Sequence, residues 1–173
     1  MRIVVGADHR GFPLRARVVD LAERLGHVVE DVGTFSGEAV DYPDIAARVA
    51  RKVSRGEVDR GILLCGTGLG MCITANKFPS VRAVPCHDDL AAEMSRRHND
   101  ANILCISADL LGEGVVDRMV EIWLDTPFEG GRHSRRVAKI CNLETEIHTE
   151  PLPASRSKAM DPPSGPPPEN TAS

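Results

Sequence analysis

The chain has 173 residues, a net charge of −4, and 42% hydrophobic and 27% charged residues, the profile of a water-soluble globular protein with one core. The acidic balance gives no global reason to expect nucleic acid, no apolar run is long enough to cross a bilayer, and the start lacks the features of a secretory signal. Five cysteines, Cys65, Cys72, Cys86, Cys105 and Cys141, form no C-x-x-C pair; an odd set of free thiols argues against a disulfide frame or zinc ribbon and for a reducing, cytoplasmic setting.

In chain order, a first apolar strand is predicted over 3–7 and runs into Asp8-His9-Arg10-Gly11. A helical pattern follows over 12–25, with Gly26 as its C-terminal stop, and then a strand over 28–32. Asp41 is placed to cap a helix over 43–55, with Pro43 in its first turn and Gly56 after its last residue. The strand over 61–65 runs into Cys65-Gly66-Thr67-Gly68-Leu69-Gly70, followed by a helix over 69–77 and a strand over 81–85. A helix over 90–97 ends in Arg96-Arg97-His98-Asn99-Asp100 before the strand over 103–107. Helices over 113–124 and 132–143 complete the pattern. Near-continuous apolar strands alternating with amphipathic helices predict an α/β fold, a five-stranded parallel sheet in a helix–sheet–helix sandwich, with one domain over 1–150. Residues 151–173 hold seven of the 12 prolines and few large apolar side chains, and are expected to form a disordered proline-rich tail.

Ligands in such folds gather outside the carboxyl ends of the strands. Glycines at alternate positions, Gly66, Gly68 and Gly70, let backbone N–H groups converge into an anion cradle at the start of a helix. Neither Walker-loop nor dinucleotide spacing is present. A thiol at Cys65 beside these amides is expected to have its thiolate favoured, whereas the other cysteines read as small buried hydrophobes. His9 and His98 both stand at element ends and are expected on the same rim as Cys65; His27, His87, His133 and His148 read as structural or solvated. No histidine pair has metal-ligand spacing, so no metal or cofactor is expected. Arg132 and Arg136, four residues apart, share a helix face that suits a phosphate.

Together, Asp8-His9-Arg10-Gly11, Asp41-Tyr42-Pro43, the segment from Cys65 to Gly70, Ala75-Asn76-Lys77, His98-Asn99-Asp100-Ala101-Asn102 and Glu129-Gly130-Gly131-Arg132-His133 resemble type B ribose-5-phosphate isomerase in order and spacing. The resemblance covers about residues 1 to 145. It implies a Rossmann-like three-layer fold and a homodimer or homotetramer with the active site between subunits. It also implies interconversion of D-ribose 5-phosphate and D-ribulose 5-phosphate, a step of the non-oxidative pentose phosphate pathway. By the same likeness, Cys65 moves a proton through a cis-enediolate, and Gly66, Thr67, Gly68, Leu69 and Gly70 serve the enediolate oxygen. His98 opens the sugar ring, Asn99 binds sugar, Asp8 and His9 contact the sugar phosphate, Tyr42 lines the pocket, and Arg132 and Arg136 hold the phosphate. A subgroup of the family uses a glutamate at the place of Met71, which cannot accept a proton and leaves Cys65 as the base. Many members carry an arginine where this chain has Asp109, so the sugar is open to alternatives: a tetrose 4-phosphate, allose 6-phosphate or galactose 6-phosphate. A non-catalytic Rossmann-like binding module would need the glycine cradle without Cys65 or His98.

Overall fold

A computed structural model describes residues 1–149; the proline-rich segment and its expected disorder lie outside the described residues. The strands are β1 (Arg2–Ala7), β2 (Val28–Asp31), β3 (Arg60–Cys65), β4 (Ala83–Pro85) and β5 (Ile103–Ser107). The helices are α1 (Phe12–Arg24), α2 (Tyr42–Ser54), α3 (Leu69–Ala75), α4 (Asp89–Asn99), α5 (Glu113–Asp125) and α6 (Arg132–Thr149). All strand pairs are parallel, in the order β2-β1-β3-β5-β4. The expected three-layer α/β/α sandwich is the observed one.

The strands are apolar at successive positions because both faces are covered. Ile3, Val5 and Ala7 of β1 join Leu14, Val18 and Leu21 of α1 and Val116, Met119, Val120 and Trp123 of α5 in one core. Val4, between them, points the other way into a second core with Ile45, Val49 and Val53 of α2 and Met71 and Ala75 of α3. Burying a side chain of this size contributes about 1.5–3 kcal/mol, so the two cores fix register as well as layering. Helix α6 lies outside this sandwich and packs against α4.

Local details depart from expectation in two places. Asp41 does stand at the N-cap of α2, but its side chain makes no capping bond; its carbonyl accepts from the Asp44 N–H at 3.2 Å. Strand β4 is shorter than its apolar run. The Arg82 N–H donates instead to the Asn102 side chain at 2.8 Å, and Val81 N–H closes a turn to the Phe78 carbonyl. Among the described residues, no helix is long and apolar enough to cross a membrane.

Candidate active site

At the carboxyl edge of the sheet, β1 and β3 end almost level, with Ala7 beside Leu64 and the Asp8 N–H donating to the Leu64 carbonyl at 3.1 Å. Cys65, the last residue of β3, faces the α2–α3 core and is 5% exposed. The turn after it reverses at Gly68, whose φ of +77° is a left-handed conformation costly to any residue with a Cβ. That geometry aims the Gly68 N–H at the Cys65 sulfur, 3.1 Å away. The turn is held from behind by the loop after β5. Ser107 Oγ donates to the Gly66 carbonyl at 2.6 Å, Ala108 N–H to Cys65 O at 2.9 Å, and Asp109 N–H to Gly66 O at 3.1 Å.

The charge state of this sulfur runs against expectation. Burial pushes the Cys65 thiol above its ordinary value of 9.0, and the nearby Asp8 carboxylate adds to the rise. The N–H groups of Gly68, Thr67 and Met71 pull it down, but they do not overcome the burial. In the isolated chain Cys65 is therefore a thiol with its anion partly provided for, rather than a ready-made thiolate.

Around it, Asp8 is buried and its Oδ1 accepts from the N–H groups of Arg10 and Gly11, both at 2.9 Å, so one oxygen is committed to shaping the β1–α1 turn. His9 Nδ1 accepts from the Val40 N–H at 3.3 Å, which leaves Nε2 as its other polar atom. Tyr42 lies across Gly70 so closely that a Cβ there would sit 2.5 Å from its ring; glycine is what lets the aromatic cover this side of the cradle. Thr67 and Leu69 are exposed at the mouth. The Arg10 guanidinium bridges to Asp109 Oδ2 at 2.9 Å, and this carboxylate stands against Gly66. The two acidic and basic side chains thus neutralise one another beside the cradle. They also line a cleft of about 430 Å³ with His9, Leu14 and Leu111.

His98 and Asn99 are elsewhere, and this is the main correction to the sequence reading. They occupy the last turn of α4, which runs antiparallel to the strands, so they come out at the amino edge. The Asn102 that follows accepts from Gly61 N–H, at the start of β3, at 2.8 Å. Roughly 16 Å of strand separates this edge from Cys65. A helix end that precedes a strand and a loop that follows one lie on opposite rims, so standing at the end of an element does not by itself give the rim.

The amino edge carries a second cluster. The His98 and His133 rings stack with centroids 4.2 Å apart and 3° between planes. Glu129 Oε2 lies 3.6 Å from His98 Nε2. Arg132 Nε donates to His133 Nε2 at 3.2 Å. Burial, with His98 and Arg132 nearby, lowers the pKa of His133, so it stands neutral near pH 7. Arg132 and Arg136 are exposed, and Arg136 is near enough to His133 to add to that lowering. His133 and Glu129 were not expected as site residues; the Glu-Gly-Gly-Arg-His run was legible, but not the stacking that joins it to His98. Among the described residues this is the one group with three potential metal-ligand atoms within 4.8 Å of one another. It does not suit a metal. Imidazole lone pairs lie in the ring plane, so two parallel stacked rings cannot converge on one ion at about 2 Å, and the Arg132 N–H already occupies one of those nitrogens.

Three comparisons bear on this arrangement. Residues 3–140 match the family model described as Ribose/Galactose Isomerase. The chain is 45% identical over 143 residues to ribose-5-phosphate isomerase B of Escherichia coli (strain K12), covering 83% of this chain and 96% of that protein. It is 38% identical over 141 residues to D-erythrulose-4-phosphate isomerase of Pectobacterium atrosepticum, covering 81% and 93%. Among solved structures, ribose-5-phosphate isomerase B of Clostridium thermocellum superposes with a TM-score of 0.83 at 46% identity, covering 85% of this chain and 99% of that one.

Proposed function

Since the chain belongs to the ribose/galactose isomerase family, we propose that it interconverts D-ribose 5-phosphate and D-ribulose 5-phosphate, with Cys65 as the proton carrier. The observation that carries the reading is the Cys65 sulfur held at 3.1 Å by the Gly68 N–H inside a glycine turn. Isomerisation needs a base that reaches the carbon next to a carbonyl, and donors for the oxygen that becomes negative. Cys65, once ionised, takes the hydrogen from C2 of the open-chain aldose. The C2–H electron pair forms the C1–C2 double bond, and the carbonyl pair moves to O1. The O2 hydroxyl passes its proton to O1, and as the charge left on O2 collapses to the ketone the proton held by Cys65 is delivered to C1, which restores the thiolate. The N–H groups of residues 66–70 and the Thr67 hydroxyl attend the developing oxyanion, an interaction typically worth about 3 kcal/mol per donor in the transition state. Met71, wholly buried, offers no alternative base.

His98, Asn99, Arg132 and Arg136 serve the same substrate from a neighbouring copy. Within one chain they are parted from Cys65 by the sheet, whereas a two-fold dimer can bring one subunit's amino edge to the other's carboxyl edge, twice over by symmetry. Exposed apolar side chains are available for such a contact: Tyr42, Leu69 and Ile73 beside the cradle, and Ile140 and Leu143 on α6. In this reading the arginines take the phosphate, His98 opens the furanose ring, Asn99, Asp8 and His9 bind sugar, and Tyr42 walls the pocket. The protein is a cytoplasmic homodimer, or a pair of dimers, of the non-oxidative pentose phosphate pathway.

The Arg10–Asp109 pair favours a second substrate reading. With its guanidinium tied to Asp109, Arg10 is not free to take a phosphate beside the cradle, which keeps tetrose 4-phosphates and hexose 6-phosphates as alternatives. The test is kcat/KM of the purified protein against tetrose, pentose and hexose phosphates with metal chelated. Ribose 5-phosphate is expected to lead; a lead by another sugar reassigns the substrate, and no turnover of any would leave the non-catalytic reading. Cys65→Ala is expected to abolish turnover with the fold intact. Mixing it with His98→Ala is expected to restore up to about a quarter of normal activity, since half the dimers then hold one complete site. No recovery on subunit exchange would refute the shared site.

A further inference from the structure

Glu129 is held in place from two sides. Its backbone N–H donates to the Arg97 carbonyl at 3.0 Å, which fastens the α5–α6 connection onto the last turn of α4. Its carboxylate then returns to the side chain of the next residue, with Oε2 3.6 Å from His98 Nε2. Arg97 also approaches this oxygen, at 3.5 Å, but has a closer carboxylate in Glu93 at 2.9 Å. His98 is thereby fixed on one ring face by His133 and on one edge by Glu129, while among the described residues nothing hydrogen-bonds its Nδ1.

This matters because the two nitrogens of a neutral imidazole have opposite roles, and the partner of one decides the role of the other. A carboxylate accepts only. Facing Nε2, it keeps the proton there and leaves the Nδ1 lone pair for substrate. The contact is slightly longer than a hydrogen bond, as such contacts often are before substrate closes the site.

Building on the isomerase reading above, we infer that Glu129 is a positioning residue for furanose ring opening, holding His98 with its proton on Nε2 so that Nδ1 works on the anomeric hydroxyl. Nδ1 takes the proton from O1 as the C1=O1 bond forms and the C1–O4 bond breaks. The same proton is then delivered to O4, so His98 ends as it began. During the transfer His98 is an imidazolium, and the Glu129 carboxylate stabilises it, as the carboxylate of a catalytic triad does its histidine. His133 cannot substitute, because its Nε2 already accepts from Arg132.

The test uses the full-length protein with Glu129→Gln, which keeps the size and loses the charge and the obligatory acceptor. Turnover of ribose 5-phosphate carrying deuterium at C2 separates ring opening from the proton transfer that follows. We expect kcat/KM to fall at least tenfold, with a C2 isotope effect no larger than that of the unaltered protein, because the added barrier precedes C–H cleavage. Affinity for 4-phospho-D-erythronate, an acyclic acid resembling the enediolate, should stay within twofold, and Glu129→Asp should recover part of the rate. An unchanged rate, an isotope effect above that of the unaltered protein, or loss of the acyclic ligand would overturn the assignment. Failure of the unaltered protein to turn over ribose 5-phosphate would instead strike the isomerase reading itself, and this role with it.

Discussion

Replacing Gly68 by alanine tests the cradle where backbone geometry and chemistry meet. At φ +77° a Cβ costs about 1–2 kcal/mol relative to glycine. The new methyl would also stand 3.3 Å from the Ile106 carbonyl carbon and 3.4 Å from Cys105 C and O, all backbone of β5, an interior strand paired on both sides, which cannot yield like a side chain. The turn must rotate instead, and the N–H aimed at the Cys65 sulfur swings away. For a domain of this size a loss of 1–2 kcal/mol lowers Tm by roughly 2–8 °C, readable by circular dichroism. A hydrogen bond to a charged group is worth about 1.5–3 kcal/mol, so kcat/KM for isomerisation should fall by about 10- to 150-fold beyond any loss of folded protein. The assay is ketose formation at a temperature where both proteins are fully folded. A variant that melts early yet isomerises at the original rate would refute the claim that this N–H supports the thiolate.

Because burial raises the Cys65 pKa, the thiolate fraction grows with pH through the neutral and mildly alkaline range. kcat/KM should climb up to about tenfold per unit below that pKa, and a profile flat from pH 7 to 9 would argue for another base. Cys86 is held up to about 11 by burial, from an ordinary 9.0, so the unfolded chain loses this proton first as pH rises. Stability should therefore drop between pH 9 and 11, with Cys86 accounting for on the order of 1 kcal/mol of the loss by pH 10. Urea titrations of Cys86→Ala should show a shallower alkaline decline, and an identical slope would count against it. For Arg136→Ala the expected result is a KM for sugar phosphate raised at least tenfold with kcat within about threefold, the mark of lost ground-state binding; an unaltered KM removes Arg136 from the phosphate site.

The sheet was legible because burial on both faces writes long apolar runs, and the alternation of Ile3, Val4 and Val5 between two cores is that signal resolved. Gly26 and Gly56 marked helix ends correctly, both with positive φ. The cradle was legible too, since only glycines tolerate Gly68's turn and the approach of Tyr42 to Gly70. What stayed hidden depends on direction and on long-range contact. Asn99 and Cys65 both adjoin strands in sequence, yet the path of α4 sends one to the opposite rim. The rise in the Cys65 pKa reflects how completely the α2–α3 core encloses it, which neighbours in sequence do not report. Likewise, Asp109 reads as a local substitution, but the fold makes it the partner of Arg10, 99 positions away.

Cys65 and His98 stand on opposite rims of one chain, so under the proposed roles output depends on how many chains are present, not only on how well each one folds. If paired subunits alone possess both groups, diluting the preparation below its dissociation constant should silence it while leaving every helix intact. Specific activity would then fall with dilution along the same curve as the dimer fraction, and adding inert, folded Cys65→Ala partners would revive part of it.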